Sequence, residues 1–178
     1  MEKKVLGITG MASAGKDTIA KYLKDKYDFE WLNFSDILAD EAKKKKIEPN
    51  KMNLSKIGDE YRKKYGMGGL AIGILKKIEK SKSENFVVTG FRSPEEVDYI
   101  RNHVDDFILI EIRTKPEVRW NRRKKDDPQA EEEFFERDRR DKELKGLDKV
   151  LEIADEIVEN NSSFEELYKK VDKVKDMI

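Results

Sequence analysis

The chain of 178 residues contains no cysteine, a single histidine and no long apolar run. The absence of cysteine excludes disulfide bonds, thiolate metal sites and a cysteine nucleophile. Because no long apolar segment is present, the sequence predicts neither a membrane span nor a signal peptide, and we expect a cytoplasmic protein. Basic and acidic residues both number 38, so the formal net charge is zero. That balance argues against nucleic acid or membrane as a partner bound through bulk charge.

Short apolar stretches alternate with helical ones along the whole chain. Strands are predicted at residues 5–9, 29–34, 86–89, 107–112 and 156–158, with helices between them. This alternation favours a parallel sheet with right-handed crossovers and helices on both faces. Ser35 and Asp36 are predicted to cap the helix after the second strand. The length suits one domain over residues 1–178, an α/β/α sandwich of three layers with five parallel strands.

The most informative stretch is residues 10–18, which reads Gly-Met-Ala-Ser-Ala-Gly-Lys-Asp-Thr. It follows an apolar strand and precedes a helix, which is the context that a phosphate-binding P-loop requires. Gly10 and Gly15 permit a tight turn that aims backbone N–H groups at phosphate, and Lys16 adds positive charge there. The predicted nucleotide-binding residues of this loop are Gly10, Ala12, Ser13, Ala14, Gly15, Lys16, Asp17 and Thr18.

Asp17 stands where the usual motif has a serine or threonine whose hydroxyl ligates magnesium. Its carboxylate can approach the metal, or it can cap the helix start, where the helix dipole favours negative charge. Thr18 is the better candidate for a phosphate contact. Asp17 and Thr18 are therefore the two candidate Mg²⁺ ligands of the chain.

Arg92 leaves the carboxyl end of the third predicted strand, in the turn Gly-Phe-Arg-Ser-Pro-Glu-Glu. Ligands of open parallel sheets collect at this edge, and an arginine there can direct two N–H donors at a second phosphate group. The alternative is a surface ion pair between Arg92 and Glu95 or Glu96.

Residues 119–144 form a highly charged region that Pro128 divides. Between residues 121 and 144 only Phe134 and Phe135 are large apolar side chains, so the composition predicts weak anchoring to a core. Such a segment is typical of a mobile lid that closes over phosphates, and the amides of about residues 124–143 are expected to exchange quickly. The alternative is a rigid helical hairpin with many surface salt bridges. The predicted nucleotide contacts from this lid region are Arg119 and Arg123.

These motifs together resemble those of nucleoside monophosphate kinases. The resemblance rests on the P-loop, on the Gly-Phe-Arg turn at residues 90–92, and on Arg-x-x-x-Asp-Asp at residues 122–127, which leads to a second arginine-rich helix. More narrowly, the whole chain resembles adenylate-kinase-like and dephospho-CoA-kinase-like P-loop proteins of archaea. Its Gly-Lys-Asp-Thr variant is also similar to phage-type deoxynucleoside monophosphate kinases.

The resemblance implies a P-loop NTPase fold and a kinase that uses ATP and Mg²⁺ to phosphorylate a nucleoside or deoxynucleoside monophosphate. It implies that Lys16 binds the donor phosphates, that Arg92 binds the acceptor phosphate, and that residues 35–80 form the acceptor-binding helical region. The further site residues that it implies are Asp36 and Arg62 in that region and Arg137 and Arg140 in the lid.

Two other functions remain open from the sequence. A hydroxyl acceptor, as in dephospho-CoA, would need a general base, for which Asp36 is the best-placed candidate. A regulatory nucleotide-binding module would need no acceptor, and Arg62 and Arg92 would then have no ligand. In each case we expect a small molecule as the ligand and a monomer or homodimer.

Overall fold

A computed structural model describes residues 2–125 and 127–178, apart from the side chain of Lys51. The strands of this part of the chain are β1 (Lys4–Thr9), β2 (Glu30–Asn33), β3 (Asn85–Thr89), β4 (Asp106–Arg113) and β5 (Glu156–Glu159). They form one sheet in the order β2-β3-β1-β4-β5, and each neighbouring pair is parallel. The P-loop strand β1 therefore lies at the centre of the sheet.

Helices connect the strands throughout. They are α1 (Lys16–Tyr27), α2 (Phe34–Lys44), α3 (Lys51–Tyr65), α4 (Gly69–Lys80), α5 (Pro94–Arg101), α6 (Pro116–Asn121), α7 (Glu131–Lys145), α8 (Leu147–Glu152) and α9 (Phe164–Lys175). The predicted acceptor region corresponds to α2, α3 and α4, and the predicted lid to α6 and α7. None of the described helices is long and apolar enough to span a membrane.

The sheet is covered on both faces because alternate strand residues point to opposite sides. Val5 belongs to one core, which it shares with Ile74 of α4. Leu6 belongs to the other, together with Leu23 of α1 and Val171 of α9. The three-layer α/β/α sandwich with five parallel strands is confirmed.

The start of α2 differs from the prediction. Phe34 is already helical, and the Asn33 side chain accepts a hydrogen bond from the backbone N–H of Ser35 at 2.9 Å. The predicted cap at Ser35 and Asp36 is therefore wrong, because Asn33, two residues before Ser35, supplies the capping oxygen. No pattern in the sequence predicts α8, since six residues are too few to show a helical period.

The lid region is better anchored than its composition predicts. Phe134 on α7 is fully buried, and its ring centroid lies 5.5 Å from that of Trp120 on α6. One large aromatic side chain thus fixes α7 against its neighbour. The prediction of easy opening therefore applies to the connection between α6 and α7, residues 122–125 and 127–130, which we call the lid loop. Asp126, part of the Arg-x-x-x-Asp-Asp motif, lies outside the described residues.

Candidate active site

The loop between β1 and α1 has the backbone that a P-loop requires. Gly10 has a φ of +143°, and a Cβ there would lie 2.6 Å from the carbonyl oxygen of Ile112. Gly15 has a φ of +104°, and a Cβ there would lie 2.4 Å from Nδ2 of Asn160. Both positions therefore need glycine for conformation and for space. Gly15 also stands at the N-cap of α1, so the positive end of the helix dipole faces the loop.

Side chains from neighbouring loops hold the P-loop in place. The carbonyl oxygen of Ala14 accepts hydrogen bonds from Thr114 Oγ1 at 3.0 Å and from Asn160 Nδ2 at 2.8 Å. Arg119 Nη1 donates to the carbonyl oxygen of Ala12 at 3.1 Å. Sequence reasoning missed Thr114 and Asn160. The available signal was their position, since each directly follows a strand at the ligand-binding edge of the sheet.

Lys16 is the centre of positive charge in the site. Its Nζ donates to the carbonyl oxygens of Gly10 and Met11, both at 2.8 Å. Desolvation, together with the nearby charges of Arg92 and Arg137, lowers the pKa of Lys16 to about 7, although carboxylates in the vicinity oppose the shift. The structure thus brings three cations that the sequence singled out into one electrostatic environment.

The lowered pKa predicts that nucleotide binding takes up a proton. Phosphate charges beside Lys16 will raise its pKa, so at about pH 8 the mostly neutral amine should become protonated on binding. Affinity should then fall as the pH rises above about 7, and uptake should be small near pH 6, where the amine is already charged. Titration calorimetry with ATP in buffers of different ionisation enthalpy measures this uptake.

A Lys16→Met variant supplies the baseline. It lacks the amine, so any proton uptake that it shows comes from the nucleotide itself. Equal proton uptake by the native protein and the variant at the higher pH would contradict the prediction.

Asp17 and Thr18 lie in the first turn of α1. Asp17 is exposed, and its Oδ2 accepts a hydrogen bond from Lys124 Nζ at 3.2 Å. It does not cap the helix, because Gly15 occupies the N-cap without a side-chain hydrogen bond. Within the described residues there is no group of three or more acidic or histidine side chains that could hold a metal ion. One carboxylate and one hydroxyl nevertheless fit Mg²⁺, which is commonly bound by few protein ligands together with substrate phosphates.

Four arginines of the predicted site each face a buried carboxylate. The pairs are Arg119–Asp138 at 2.6 Å, Arg137–Asp127 at 2.8 Å, Arg62–Glu96 at 3.0 Å and Arg92–Asp141 at 3.7 Å. Burial opposes ionisation of Asp141, but Arg92 and Lys145 beside it keep its pKa below the ordinary value. The surface pair considered for Arg92 is not formed with Glu96, which accepts only its backbone N–H, at 2.7 Å. An anionic ligand would meet arginines that are already positioned.

Unsatisfied polar atoms also concentrate at this site. Among the described residues, the buried side-chain atoms without a hydrogen-bond partner are Oγ1 of Thr9, Nε of Arg62, Arg119, Arg123 and Arg137, Oδ1 of Asp138 and Oδ1 of Asn160. Thr9 ends the P-loop strand, and the others belong to the loops and helices above it. Buried donors in native proteins normally have partners, so these four guanidinium Nε–H groups have unused donor capacity in the described structure.

The lid loop contacts the P-loop directly. Asp127 Oδ2 accepts hydrogen bonds from Ser13 Oγ at 3.4 Å and from the backbone N–H of Lys124 at 2.8 Å, and Oδ1 accepts from Arg137. Gln129 Nε2 donates to the carbonyl oxygen of Asp127 at 2.6 Å. Polar contacts rather than apolar packing therefore hold the lid loop, and these can exchange for contacts with phosphates.

Hydrogen exchange should reflect this division. In the free protein we expect fast exchange at residues 122–125 and 127–130 and slow exchange in α7 around Phe134. Di(adenosine) pentaphosphate, which joins a donor and an acceptor nucleotide, should protect the lid loop more than ATP or AMP alone. Slow exchange of the lid loop in the free protein, unchanged by ligand, would instead indicate a rigid hairpin.

Three other predicted residues lie less centrally. Asp36 is exposed in the first turn of α2. The Arg123 guanidinium stacks on the ring of Trp120, 3.7 Å from its centroid. Arg140 is exposed, because the buried stripe of α7 is made by other residues of that helix, namely Phe134, Asp138 and Asp141. The roles assigned to Asp36, Arg123 and Arg140 stay predictions.

Comparison with known proteins agrees with this geometry. The AAA domain family matches residues 9–144, from the end of β1 to the last turn of α7. A UPF0200 protein of Methanocaldococcus jannaschii is 33% identical over 176 residues, which cover 96% of this chain and 88% of that protein. The chain belongs to the UPF0200 family of AAA domain proteins. A UPF0200/UPF0201 protein of Archaeoglobus fulgidus is 34% identical over 98% of this chain, which spans about half of that relative, 55% of its length.

Solved structures share the architecture of this UPF0200 chain. TT1252 from Thermus thermophilus superimposes with a TM-score of 0.71 at 16% identity, covering 100% of this chain and 99% of that one. Shikimate kinase from Bacteroides thetaiotaomicron gives 0.61 at 13% identity, with 98% and 97% covered. At such identities the likeness shows the fold alone. It confirms the predicted P-loop NTPase fold.

Proposed function

We propose that this UPF0200 protein is an ATP-dependent kinase that transfers the γ-phosphoryl group to a nucleoside or deoxynucleoside monophosphate. The observation that carries the proposal is that Arg92 and Arg137 lie near Lys16 and that each pairs with a buried carboxylate, Asp141 and Asp127 respectively. A P-loop with its lysine suffices to bind one nucleotide. Two additional arginines near that lysine favour the binding of a second anionic group, such as the phosphate of an acceptor.

The proposed chemistry consists of alignment and charge neutralisation. The P-loop N–H groups and Lys16 bind the donor phosphates, and Arg92 and Arg62 orient the acceptor phosphate. Arg137, from the lid, neutralises charge on the transferred group. Mg²⁺ bound with ATP would neutralise further phosphate charge, and Asp17 and Thr18 are the residues that would hold it. An anionic acceptor oxygen needs no strong base, which suits a site without cysteine or histidine.

Phosphorylation of a hydroxyl group is the second candidate. It is favoured by the structural likeness to shikimate kinases, one of which was solved in complex with shikimate. A hydroxyl acceptor must lose a proton, and Asp36 at the start of α2 is the candidate base. A regulatory module that only binds or hydrolyses ATP is the third possibility, and the four arginines facing buried carboxylates would then be structural.

A transfer assay separates these functions. Nucleoside monophosphates, deoxynucleoside monophosphates and dephospho-CoA are offered singly with ATP and Mg²⁺, and the products are identified. We expect transfer to a monophosphate, and Asp36→Asn should leave that transfer largely intact. If a hydroxyl acceptor is used instead, Asp36→Asn should lower kcat by about 100-fold. Asp40→Asn, on the same helix, is the matched control.

A further inference from the structure

Glu96 connects the two arginines that we assign to the acceptor. Its side chain is fully buried at the start of α5. Oε2 accepts the backbone N–H of Arg92 at 2.7 Å and that of Ser93 at 3.3 Å. Oε1 accepts from Arg62 Nη2, on α3, at 3.0 Å. One carboxylate therefore holds both the turn that carries Arg92 and the guanidinium of Arg62.

Capping of α5 accounts for only part of this arrangement. A glutamate at this position of a capping box needs one oxygen for the backbone N–H of the N-cap residue, here Ser93. Burial raises the pKa of Glu96, and the Arg62 charge opposes that shift. A fully buried carboxylate is costly unless it is paired and hydrogen-bonded. The cap does not account for Oε1 or for its ion pair with Arg62 on α3. Glu96 therefore has a role beyond the cap.

Arg62 has donor capacity left over. Its side chain is only 10% exposed, and its Nε–H is buried without a partner in the described structure. On its other side the guanidinium lies close to Gly58, where an added Cβ would be 3.2 Å from Nη1. Arg62 is thus held by Glu96 and by packing, and its buried Nε–H has no partner among the described residues. A guanidinium in this state suits an anion that accepts from it, most readily through two parallel hydrogen bonds.

We infer that Glu96 is a positioning residue, which holds Arg62 beside the Arg92 turn so that both guanidinium groups bind the phosphate monoester of the acceptor. This inference rests on the proposed function, because it takes the second anion to be the phosphate of an acceptor. It explains why a buried carboxylate, which would repel a phosphate, lies next to its binding site. In this arrangement Glu96 binds the Arg62 guanidinium and the Arg92 backbone N–H, and the two guanidinium groups lie between it and the ligand.

The test uses the whole chain with saturating ADP at the P-loop and inorganic phosphate as the probe. The Arg62 Nε–H signal is observed by NMR and identified by its loss in Arg62→Lys. It should shift saturably with phosphate in the native protein. In Glu96→Gln, calorimetry should show phosphate affinity about tenfold weaker with ADP affinity unchanged. Glu95→Gln, an exposed neighbour in the same helical turn, should bind phosphate normally.

Two results would overturn the inference: an Arg62 signal that does not respond to phosphate, or native phosphate affinity in Glu96→Gln. Neither depends on catalysis, so the proposed function fails separately if no acceptor is phosphorylated. If Glu96→Gln does not fold, Arg62→Lys replaces it. That variant keeps the charge and Glu96 but lacks the planar donor pair, so its phosphate affinity should also fall about tenfold. Unchanged affinity there would equally overturn the inference.

Discussion

A Lys16→Ala variant is expected to fold normally and to lose phosphoryl transfer by about 100- to 1,000-fold. The fold should survive because the hydrogen bonds of Lys16 within the described residues go to loop carbonyls. Burial also disfavours its charge, which lowers its pKa to about 7. Transfer should fail because this charge acts on the phosphates whose negative charge is redistributed in the transition state. Steady-state kinetics with ATP, together with thermal unfolding, measure the two effects.

Lys21→Ala is the matched control for this variant. Lys21 lies on the same helix but is exposed, and its partner is Asp25, at 2.5 Å. Its loss should leave turnover unchanged, since an exposed pair of this kind contributes little. Substantial turnover by folded Lys16→Ala would contradict the assignment of the P-loop as the donor site.

Removal of Arg92 should affect the acceptor and not the donor. In Arg92→Ala we expect kcat/KM for the acceptor to fall by an amount equivalent to about 2–5 kcal/mol, with ATP affinity nearly native. The reason is that Arg92 follows the end of β3, where we place the acceptor. Its loss also leaves the buried carboxylate of Asp141 without that neighbour. Acceptor kinetics at saturating ATP, and ATP binding without acceptor, give the two quantities.

An exposed arginine supplies the comparison. Arg139 on α7 pairs with Glu136 and Glu143 at the surface, so Arg139→Ala should leave both quantities unchanged. Equal losses of donor and acceptor binding in Arg92→Ala would assign this arginine to the donor site or to the fold. Because Arg92 contributes to the lowered pKa of Lys16, the same variant should raise that pKa.

Local sequence patterns predicted the fold and the P-loop because both depend on short-range physics. Apolar runs that continue through 107–112 indicate a strand buried on both faces, as found in β4. The two glycines of the loop are explained by backbone angles and by contacts that only glycine permits at Gly10 and Gly15. The convergence of Lys16 and Arg92 followed from topology, since both lie at the carboxyl edge of adjacent parallel strands.

The supporting residues could not be predicted, because their contacts join distant parts of the chain. Asn160 reaches Ala14 across 146 positions, and Thr114 reaches it across 100. From the sequence, the acidic residues of the lid are expected to be solvated and to pair with neighbouring lysines and arginines. Asp138 is instead buried against Arg119, a pairing that neither charge count nor helical spacing reveals.

The fate of the γ-phosphoryl group tests the proposed function most directly. ATP carrying a radioactive γ-phosphate is incubated with the protein, Mg²⁺ and a mixture of nucleoside and deoxynucleoside monophosphates, and the labelled products are separated. We expect the label in a nucleoside or deoxynucleoside diphosphate, with little released as inorganic phosphate, because a closed lid excludes water. Label found only in ATP and inorganic phosphate, from a protein that binds ATP, would contradict the assignment of this chain as a monophosphate kinase.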